Sequence, residues 1–438
     1  PRQFEDSITN SQPNDLISFT YTSGTTGDPK AGMYTSRNII ASAKYLPDAI
    51  GLTRNDFYVC FLPLAHIAER LVGHFIRFIS GHPAAFAESI EDMPQNIRQT
   101  GPTVVFGTPR VWEKFYARIM TGIGDATWIQ KKLFHWAINV GKENCEIRES
   151  GKTPGLGMNV RLRIAKFLIH DKIKDIFGGK IRTILTGAAP ISREIIHFFN
   201  WVGLDVYEAY GMTETSGVIT IQSEGKTKIG SVGIPIPGTE LKILEDGEIC
   251  CRGEQNIQGY YKNEEATNEL LKPDGEGGFW LHTGDVGHID EEGYLFITDR
   301  KKDIIITAGG KNVAPQNIEN LMKTSPYISQ AMVHGDKKPY LTMLVTLDED
   351  EITKFARDQK ILYQDLSDLT KKQDVIDLIH HEISTLNKEL ASYETIKKFH
   401  ILEEELDQDK DEVTPTLKVK RKVVIAHYQH FIDGMYKS

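Results

Sequence analysis

The densest chemistry in the chain lies in ten consecutive residues, Tyr21–Thr22–Ser23–Gly24–Thr25–Thr26–Gly27–Asp28–Pro29–Lys30. Hydroxyls and glycines followed by a lysine suit a loop that holds phosphate. Glycine lets backbone N–H groups come close to an anion, the hydroxyls donate to it, and the lysine adds charge. Two residues separate Gly27 from Lys30, so the spacing is not the Gly-x-x-x-x-Gly-Lys-Ser/Thr loop of P-loop nucleotide hydrolases. A second cluster is Glu208–Ala209–Tyr210–Gly211–Met212–Thr213–Glu214. Its last five residues offer an aromatic face, a glycine for a tight turn, a hydroxyl and a carboxylate. Tyr210 is suited to stack on a purine, and Glu214 to hold a magnesium ion that bridges phosphates. A Thr283–Gly284–Asp285 turn and a basic stretch, Lys418–Val419–Lys420–Arg421–Lys422, lie further along.

Elements must deliver these groups. The apolar run Leu16–Ile17–Ser18–Phe19–Thr20 predicts a buried strand feeding the loop. Ser36–Arg37–Asn38, ahead of Ile39, Ile40 and Ala43, starts a helix. A strand over Phe57–Leu62 opens into Pro63–Leu64–Ala65–His66–Ile67–Ala68–Glu69–Arg70, and another over Thr103–Phe106 into Gly107–Arg110. The region 112–177 reads as mostly helical. Ile181–Leu185 is again a strand, opening into Thr186–Gly187–Ala188–Ala189–Pro190, a strand-to-helix turn capped by Ser192. From Gly230 glycine, proline and strand formers alternate, which predicts a small barrel or sheet. The polar run Thr298–Asp299–Arg300–Lys301–Lys302–Asp303 marks a domain boundary. Beyond it come a strand at Ile304–Ile306, a glycine turn at Gly309–Gly310–Lys311 and a helix over 315–322. Strands near Ala331–Val333 and Leu341–Val345 follow. An amphipathic helix then carries Ile376, Ile379, Ile383, Leu386 and Leu390 as a core stripe.

Bulk properties narrow the class. A chain of 438 residues is too long for one ordinary core and implies two or three domains. At 40% hydrophobic and 25% charged residues it has the composition of a soluble globular protein. Its net charge of −9 and the acidic run Glu403–Glu412 beside the basic stretch argue against nucleic acid as a partner. The longest apolar region, Phe61–Ile79, contains Glu69, Arg70 and Arg77, so it cannot cross a bilayer unaided. Cys60, Cys145, Cys250 and Cys251 lack metal-ligand spacing, and the adjacent pair would point to opposite faces of a strand. A reducing, cytoplasmic setting is therefore expected, with peripheral membrane contact and a homodimer left open.

The pattern Thr-Ser-Gly-Thr-Thr-Gly-x-Pro-Lys over 22–30 resembles the phosphate loop of the adenylate-forming (AMP-binding) enzymes: acyl-CoA synthetases, luciferases and peptide-synthetase adenylation domains. The other motifs follow in that family's order over essentially the whole chain. The resemblance implies an α/β fold. It would have an acetyl-CoA-synthetase/luciferase-like large domain over 1–299, a small β-barrel-like part at 230–299, and a mobile α+β C-terminal domain over 300–438. Family members carry a substantial region ahead of the phosphate loop, so the chain is expected to be a piece of a longer protein.

The resemblance also implies roles. ATP would be held by Thr22, Ser23, Gly24, Thr25, Thr26, Gly27 and Lys30. Gly187, Ala188, Ala189 and Pro190 would pack against adenine, and Glu208, Ala209, Tyr210, Gly211, Met212 and Thr213 would line the nucleotide. Asp285 would accept hydrogen bonds from both ribose hydroxyls, and Arg300 would reach the nucleotide. Mg2+ would sit on Thr22 and Glu214, with Thr25, Glu214 and Lys418 as the catalytic groups. Lys302 would be the hinge pivot, and Gly309–Gly310–Lys311 would enter for a second step with CoA. Ala188 stands where the family usually has a second glycine, and Leu417 where it has a glycine before the lysine. The forms of 63–70, 299–303 and 415–421 are similar to the long-chain fatty acyl-CoA synthetases, which puts His66 beside the acyl pocket.

The activity so implied is a long-chain fatty acid–CoA ligase. A carboxylate is a poor electrophile; joining it to AMP creates a mixed anhydride with a good leaving group. An anionic nucleophile must approach a triphosphate, so catalysis should rest on positioning and charge stabilisation. Two alternatives remain at this point. One is a fatty acyl-AMP ligase that passes its adenylate to a carrier protein. The other is a piece that binds nucleotide without turnover.

Overall fold

The computed structural model describes residues 2–22, 29–89, 92–414 and 418–437. The loop residues Ser23, Gly24, Thr25, Thr26 and Gly27, and Pro415–Leu417 ahead of Lys418, lie outside the described residues. The chain divides into two compact units, one of residues 1–107, 140–188 and 199–297, the other of 108–139, 189–198 and 298–438.

In the first unit, β1 (Leu16–Thr22) pairs antiparallel with β2 (Lys30–Thr35), Thr22 facing Lys30, so the phosphate-loop sequence joins the two strands of a hairpin. The expectation of a buried β1 is corrected: Leu16, Ile17, Phe19 and Tyr21 are exposed and only Thr20 of the strand is buried. A two-stranded ribbon has little core of its own to cover its faces. On β2 Ala31, Tyr34 and Thr35 are buried. Thr35 then caps the helix Ser36–Ala43 reciprocally. Its hydroxyl accepts from the Asn38 N–H at 3.3 Å, and the Asn38 side-chain oxygen accepts from the Thr35 N–H at 3.0 Å.

A seven-stranded sheet follows. Its strands are β3 (Tyr58–Cys60), β4 (Ala84–Phe86), β5 (Val104–Gly107), β6 (Thr183–Gly187), β7 (Asp205–Met212), β8 (Gly217–Ile221) and β9 (Ile234–Pro235), in the order β4-β3-β5-β6-β7-β8-β9. β4 through β7 are parallel, and β8 and β9 add antiparallel. β3 and β5 are fully buried apolar runs, as strands covered on both faces must be, whereas β6 carries Thr183 and Thr186 and β7 carries Asp205 and Glu208. The small β-rich part is a five-stranded sheet of β10 (Glu240–Ile243), β11 (Glu248–Arg252), β12 (Leu271–Pro273), β13 (Phe279–Ile289) and β14 (Leu295–Arg300). Cys250 and Cys251 are both buried on β11, and all four cysteines are free.

In the second unit a short hairpin, β15 (Ile305–Ile306) with β16 (Asn312–Val313), precedes a three-stranded sheet. That sheet runs β17 (Ile328–His334), β18 (Leu341–Leu347), β19 (Ile396–Ile401). The period of two is plain: Ala331, Val333, Met343 and Val345 pack with Ile318, Ile379 and Ile383, whereas Met332 and Leu344 pack with Val424 and Ile432. The helix Gln373–Leu386 carries the expected stripe, and Leu390 joins the same cluster from beyond its end.

Ala188 has φ +69° just after β6, in the left-handed region where a Cβ is disfavoured. Ala188→Gly should therefore raise the free energy of unfolding by roughly 0.5–1 kcal/mol, the relieved strain being partly offset by a more flexible unfolded chain. Urea denaturation checks this; a lowered midpoint would count against a left-handed backbone there.

Candidate active site

Two motif stretches meet where β6 and β7 end. In their parallel register Thr186 lies opposite Glu208 and Gly187 opposite Ala209, and the carboxyl ends of such strands are where open α/β sheets bind ligands. A Cβ on Gly187 would stand 2.7 Å from the Ala209 carbonyl oxygen, so the strands approach this closely only with glycine. The tight turn expected at Gly211 lies further on. β7 runs through to Met212, and the reversal comes at Thr213–Thr215, with Ser216 at φ +54°. Gly211 serves the close antiparallel pairing of β7 and β8 instead, since a Cβ would meet the Gly217 carbonyl oxygen at 1.6 Å.

Glu214 is held from several directions. The Tyr260 hydroxyl donates to its Oε1 at 2.5 Å, and its carbonyl accepts from the Ile257 N–H at 2.9 Å. Next to it, the Thr213 carbonyl accepts from the buried Tyr34 hydroxyl at 2.6 Å. Burial and the neighbouring Glu214 push the Tyr260 phenol well above its usual pKa, which keeps it a donor. Tyr260 in turn is stitched to β2: Gly32 bridges to it, Met33 N–H donates to Gly259 at 3.1 Å and Tyr261 N–H to Ala31 at 2.9 Å. Lys30 Nζ sits 5.3 Å from the centre of the Tyr260 ring. Lys30, Tyr260 and Glu214 thus converge, and β1 packs beside the Thr213–Thr215 turn.

Asp285 is positioned by a distortion in β13. The β11–β13 register shifts between Glu248 and Cys250, and Gly284 takes φ +72°. Thr283 anchors the kink by donating to the Ile249 carbonyl at 2.7 Å and accepting from the Asp285 N–H at 3.1 Å. The Tyr210 hydroxyl then donates to Asp285 Oδ2 at 2.7 Å. Tyr210 is packed in the core with Ile249, Cys251 and Leu281.

The 63–70 segment holds three distinct groups. His66 Nδ1 accepts from the Ala68 N–H at 3.2 Å and caps the turn Ile67–Glu69. An accepting Nδ1 leaves the proton on Nε2, and burial lowers the ring's pKa. Glu69 is fully buried; its Oε2 accepts from the Leu62 N–H at 3.2 Å, and burial raises its pKa to about 7. Arg70 is a residue that sequence reasoning did not single out. Its Nε donates to the Leu64 carbonyl at 2.9 Å. Its Nη1 reaches Ser18 Oγ, the Phe19 carbonyl and Thr20 Oγ1 at 2.7, 3.1 and 3.2 Å. The signal was present as two hydroxyl residues at alternate positions in an otherwise apolar strand.

In the second unit, Arg300 N–H donates to Asp299 Oδ1 at 2.6 Å, and its carbonyl accepts from Asp303 and Ile304. Asp299 is not a solvated charge of the polar run. It is buried, its pKa is raised to about 6 by that burial, and its Oδ2 accepts from the Gln316 N–H at the start of the helix Pro315–Met322. Lys302 is exposed. Gly309, Gly310 and Lys311 are exposed at the β15–β16 turn, with Lys311 Nζ 5.7 Å from the Tyr393 ring centre. Lys418 is half-buried; its carbonyl accepts from Thr414 N–H at 2.9 Å and its N–H donates to Thr414 Oγ1 at 3.1 Å. Ala189 and Pro190 also belong to this unit.

Two outcomes follow from 63–70. Arg70→Ala should lower kcat of any reaction using the hairpin turn about tenfold, with Arg70→Lys recovering only part, because one ammonium cannot make the same fork of bonds. Unchanged kinetics would show that the tie to β1 is idle. A raised carboxyl pKa means that the folded state holds its proton more tightly than the unfolded state. Stability is thus greatest below about pH 4.5 as far as Glu69 is concerned and falls as pH rises towards 7. Glu69→Gln should flatten that decline, by on the order of 3 kcal/mol at most; parallel pH profiles of denaturation midpoints for the two proteins would contradict it.

Residues 2–261 match the AMP-binding enzyme family and residues 302–438 match the AMP-binding enzyme C-terminal domain. A long-chain-fatty-acid–CoA ligase of Mycobacterium bovis is 37% identical over 97% of this chain and 70% of its own length. One of Xenopus laevis is 34% identical over the whole chain and 62% of its own length. Among solved structures, the adenylation domain of a carboxylate reductase from Mycobacterium chelonae superimposes with a TM-score of 0.71 at 23% identity, over 97% of this chain and 60% of that one. O-succinylbenzoate coenzyme A synthetase from Bacillus subtilis, solved with AMP, gives a TM-score of 0.61 at 24% identity, over 94% of this chain and 69% of that one. The chain belongs to the AMP-binding enzyme family.

Proposed function

We propose that the protein acts as a long-chain fatty acid–CoA ligase, joining a fatty acid to AMP with release of pyrophosphate and then passing the acyl group to CoA. The observation that carries this reading is the convergence of Lys30, Tyr260 and Glu214 on the strand leaving the hairpin turn. It links the cation and hydroxyls of 22–30 to the carboxylate of the second motif. The relatives that cover nearly all of the chain are named as ligases of long-chain fatty acids, which favours that acid class and CoA as acceptor over a carrier protein.

In this reading the hairpin turn with Thr22 and Lys30 holds the phosphates of ATP, and the ends of β6 and β7 receive the base. Asp285, turned by its kink and held by Tyr210, accepts from the ribose hydroxyls. Magnesium takes one or two carboxylates together with substrate phosphates rather than an all-protein cage, so Glu214 with the Thr22 hydroxyl is a fitting donor set. When bound there, the ion neutralises phosphate charge. The fatty carboxylate attacks the α-phosphorus, and pyrophosphate leaves against Lys30 and the loop donors. His66, neutral with its proton on Nε2, borders the acyl site.

Lys418 stabilises the charge that develops in the first step. We divide the chain at 299/300 into a large domain and a mobile C-terminal domain, with Arg300 and Lys302 at the hinge and Gly309–Gly310–Lys311 entering for thioester formation. No described helix is long and apolar enough to cross a membrane.

Fatty-acid-dependent exchange of pyrophosphate into ATP, with a thioester formed on adding CoA, is the expected behaviour. Exchange without thioester would favour the acyl-AMP ligase, and nucleotide binding without exchange would remove catalysis from the account. Lys418→Ala should slow exchange about 100- to 1,000-fold while thioester formation from supplied acyl-AMP is largely kept. An equal fall in both half-reactions would overturn the assignment of Lys418 to the first step alone.

A further inference from the structure

In sequence the run Glu403–Glu412 reads only as negative charge beside a basic stretch. Its last member is placed differently from the others. Glu403, Glu404 and Glu405 are exposed, whereas Glu412 is 1% exposed. A carboxylate taken from water needs donors, and Glu412 has them. Its Oε2 accepts from the Asp407 N–H at 3.0 Å, and its Oε1 lies 2.9 Å from His427 Nδ1. A carboxylate oxygen accepts, so Nδ1 is the donor. Burial, and then this same carboxylate, push the neighbouring Tyr428 phenol up to about 12.

The backbone of Glu412 is as firmly placed as its side chain. Its N–H donates to the Asp407 carbonyl at 3.0 Å, and its carbonyl accepts from the Lys420 N–H at 2.8 Å. Val413 bridges to Val419, and the Thr414 N–H donates to the Lys418 carbonyl. Lys418 is therefore paired to a stretch that starts at Glu412. His427 belongs to the helix Arg421–Tyr436, whose Val424 and Ile432 pack with Met332 and Leu344 of the sheet. Arg421 opens that helix with bonds to both Glu319 carboxylate oxygens, at 2.6 and 2.5 Å, and to the Val333 carbonyl at 3.1 Å. The Glu412–His427 bond thus joins the backbone that carries Lys418 to a helix fixed on the core of the second unit. Val413 packs in the same cluster as Val424 and Ile432, but apolar contact is non-directional. Hydrogen bonds on a buried carboxylate supply the direction that apolar contact lacks.

We propose that Glu412 and His427 are positioning residues for Lys418, their bond setting where the Lys418 backbone stands during the first half-reaction. The inference rests on the role given to Lys418 above and adds the pair that places it.

The two half-reactions are measured separately in the 438-residue chain, with the melting temperature of each variant. His427→Ala should lower kcat of fatty-acid-dependent ATP–pyrophosphate exchange about tenfold, and Glu412→Ala about 100-fold. KM for ATP should hardly change, since Lys418 acts on charge that develops in the transition state. Thioester formation from supplied acyl-AMP should be largely kept in both. His427→Asn, whose amide donates from nearly the same place as Nδ1, should recover most of the loss. Added to Lys418→Ala, His427→Ala should slow exchange no further. The His427 side chain is 44% exposed, so its replacement remains informative even where Glu412→Ala fails to fold. An equal fall in both half-reactions, a raised KM at full kcat, or an undiminished effect in the Lys418→Ala background would overturn the proposal. So would normal exchange in the His427 variants beside slow exchange in Lys418→Ala, which leaves the role of Lys418 standing. If the unsubstituted chain does not exchange, or Lys418→Ala exchanges normally, the role of Lys418 falls and the proposal falls with it.

Discussion

The hydrogen bond from Tyr260 to Glu214 is the constraint from which the first unit's site is built. A carboxylate this buried needs donors in place, because a charge without partners costs far more than its bond returns. Tyr260 supplies one at 2.5 Å, and it can do so because Gly32 and its neighbours clasp the 259–261 backbone against β2. The bond therefore fixes the carboxylate relative to the strand that leaves the hairpin turn. A hydrogen bond to a charged group contributes roughly 1.5–3 kcal/mol, enough to make this arrangement the preferred one.

The same device recurs at Asp285, where Tyr210 is the buried phenol and a kink in β13 sets the angle. Burial raises the pKa of both phenols, so each remains a donor over the physiological range. On the other strand of the hairpin Arg70 does the equivalent work, tying Ser18, Phe19 and Thr20 of β1 to the 63–70 segment. β1 has little buried side-chain surface of its own, so these bonds add to its ladder with β2 in holding it. Both strands of the hairpin are thus tied to distant parts of the first unit, β1 through Arg70 and β2 through the 259–261 backbone.

Much of this was legible in the sequence, and the remainder follows a physical pattern. Short apolar runs reported β5, β6, β17 and β18, because that signal is local, whereas β7, with Asp205 and Glu208 in it, was legible only as a motif. The helix starts at Ser36 and Pro315 and the Ile379–Ile383 stripe are local too. What escaped depends on distant partners. Tyr260 meets Glu214 across 46 residues and Arg70 meets β1 across about 50. Apolarity alone made β1 look buried, although its partner is a single strand. Gly211 looked like a turn, while its reason is the close approach of the paired strand at Gly217. Asp299 sat in a run of charges, and only the later helix reveals it as a buried cap.

A double-mutant cycle on Tyr260 and Glu214 tests most directly whether phenol and carboxylate act as one unit. The quantity measured is the rate of fatty-acid-dependent ATP–pyrophosphate exchange in Tyr260→Phe, Glu214→Gln and the double variant. The account predicts strong non-additivity, with the double variant no slower than Glu214→Gln alone. Independent, multiplying losses would contradict it.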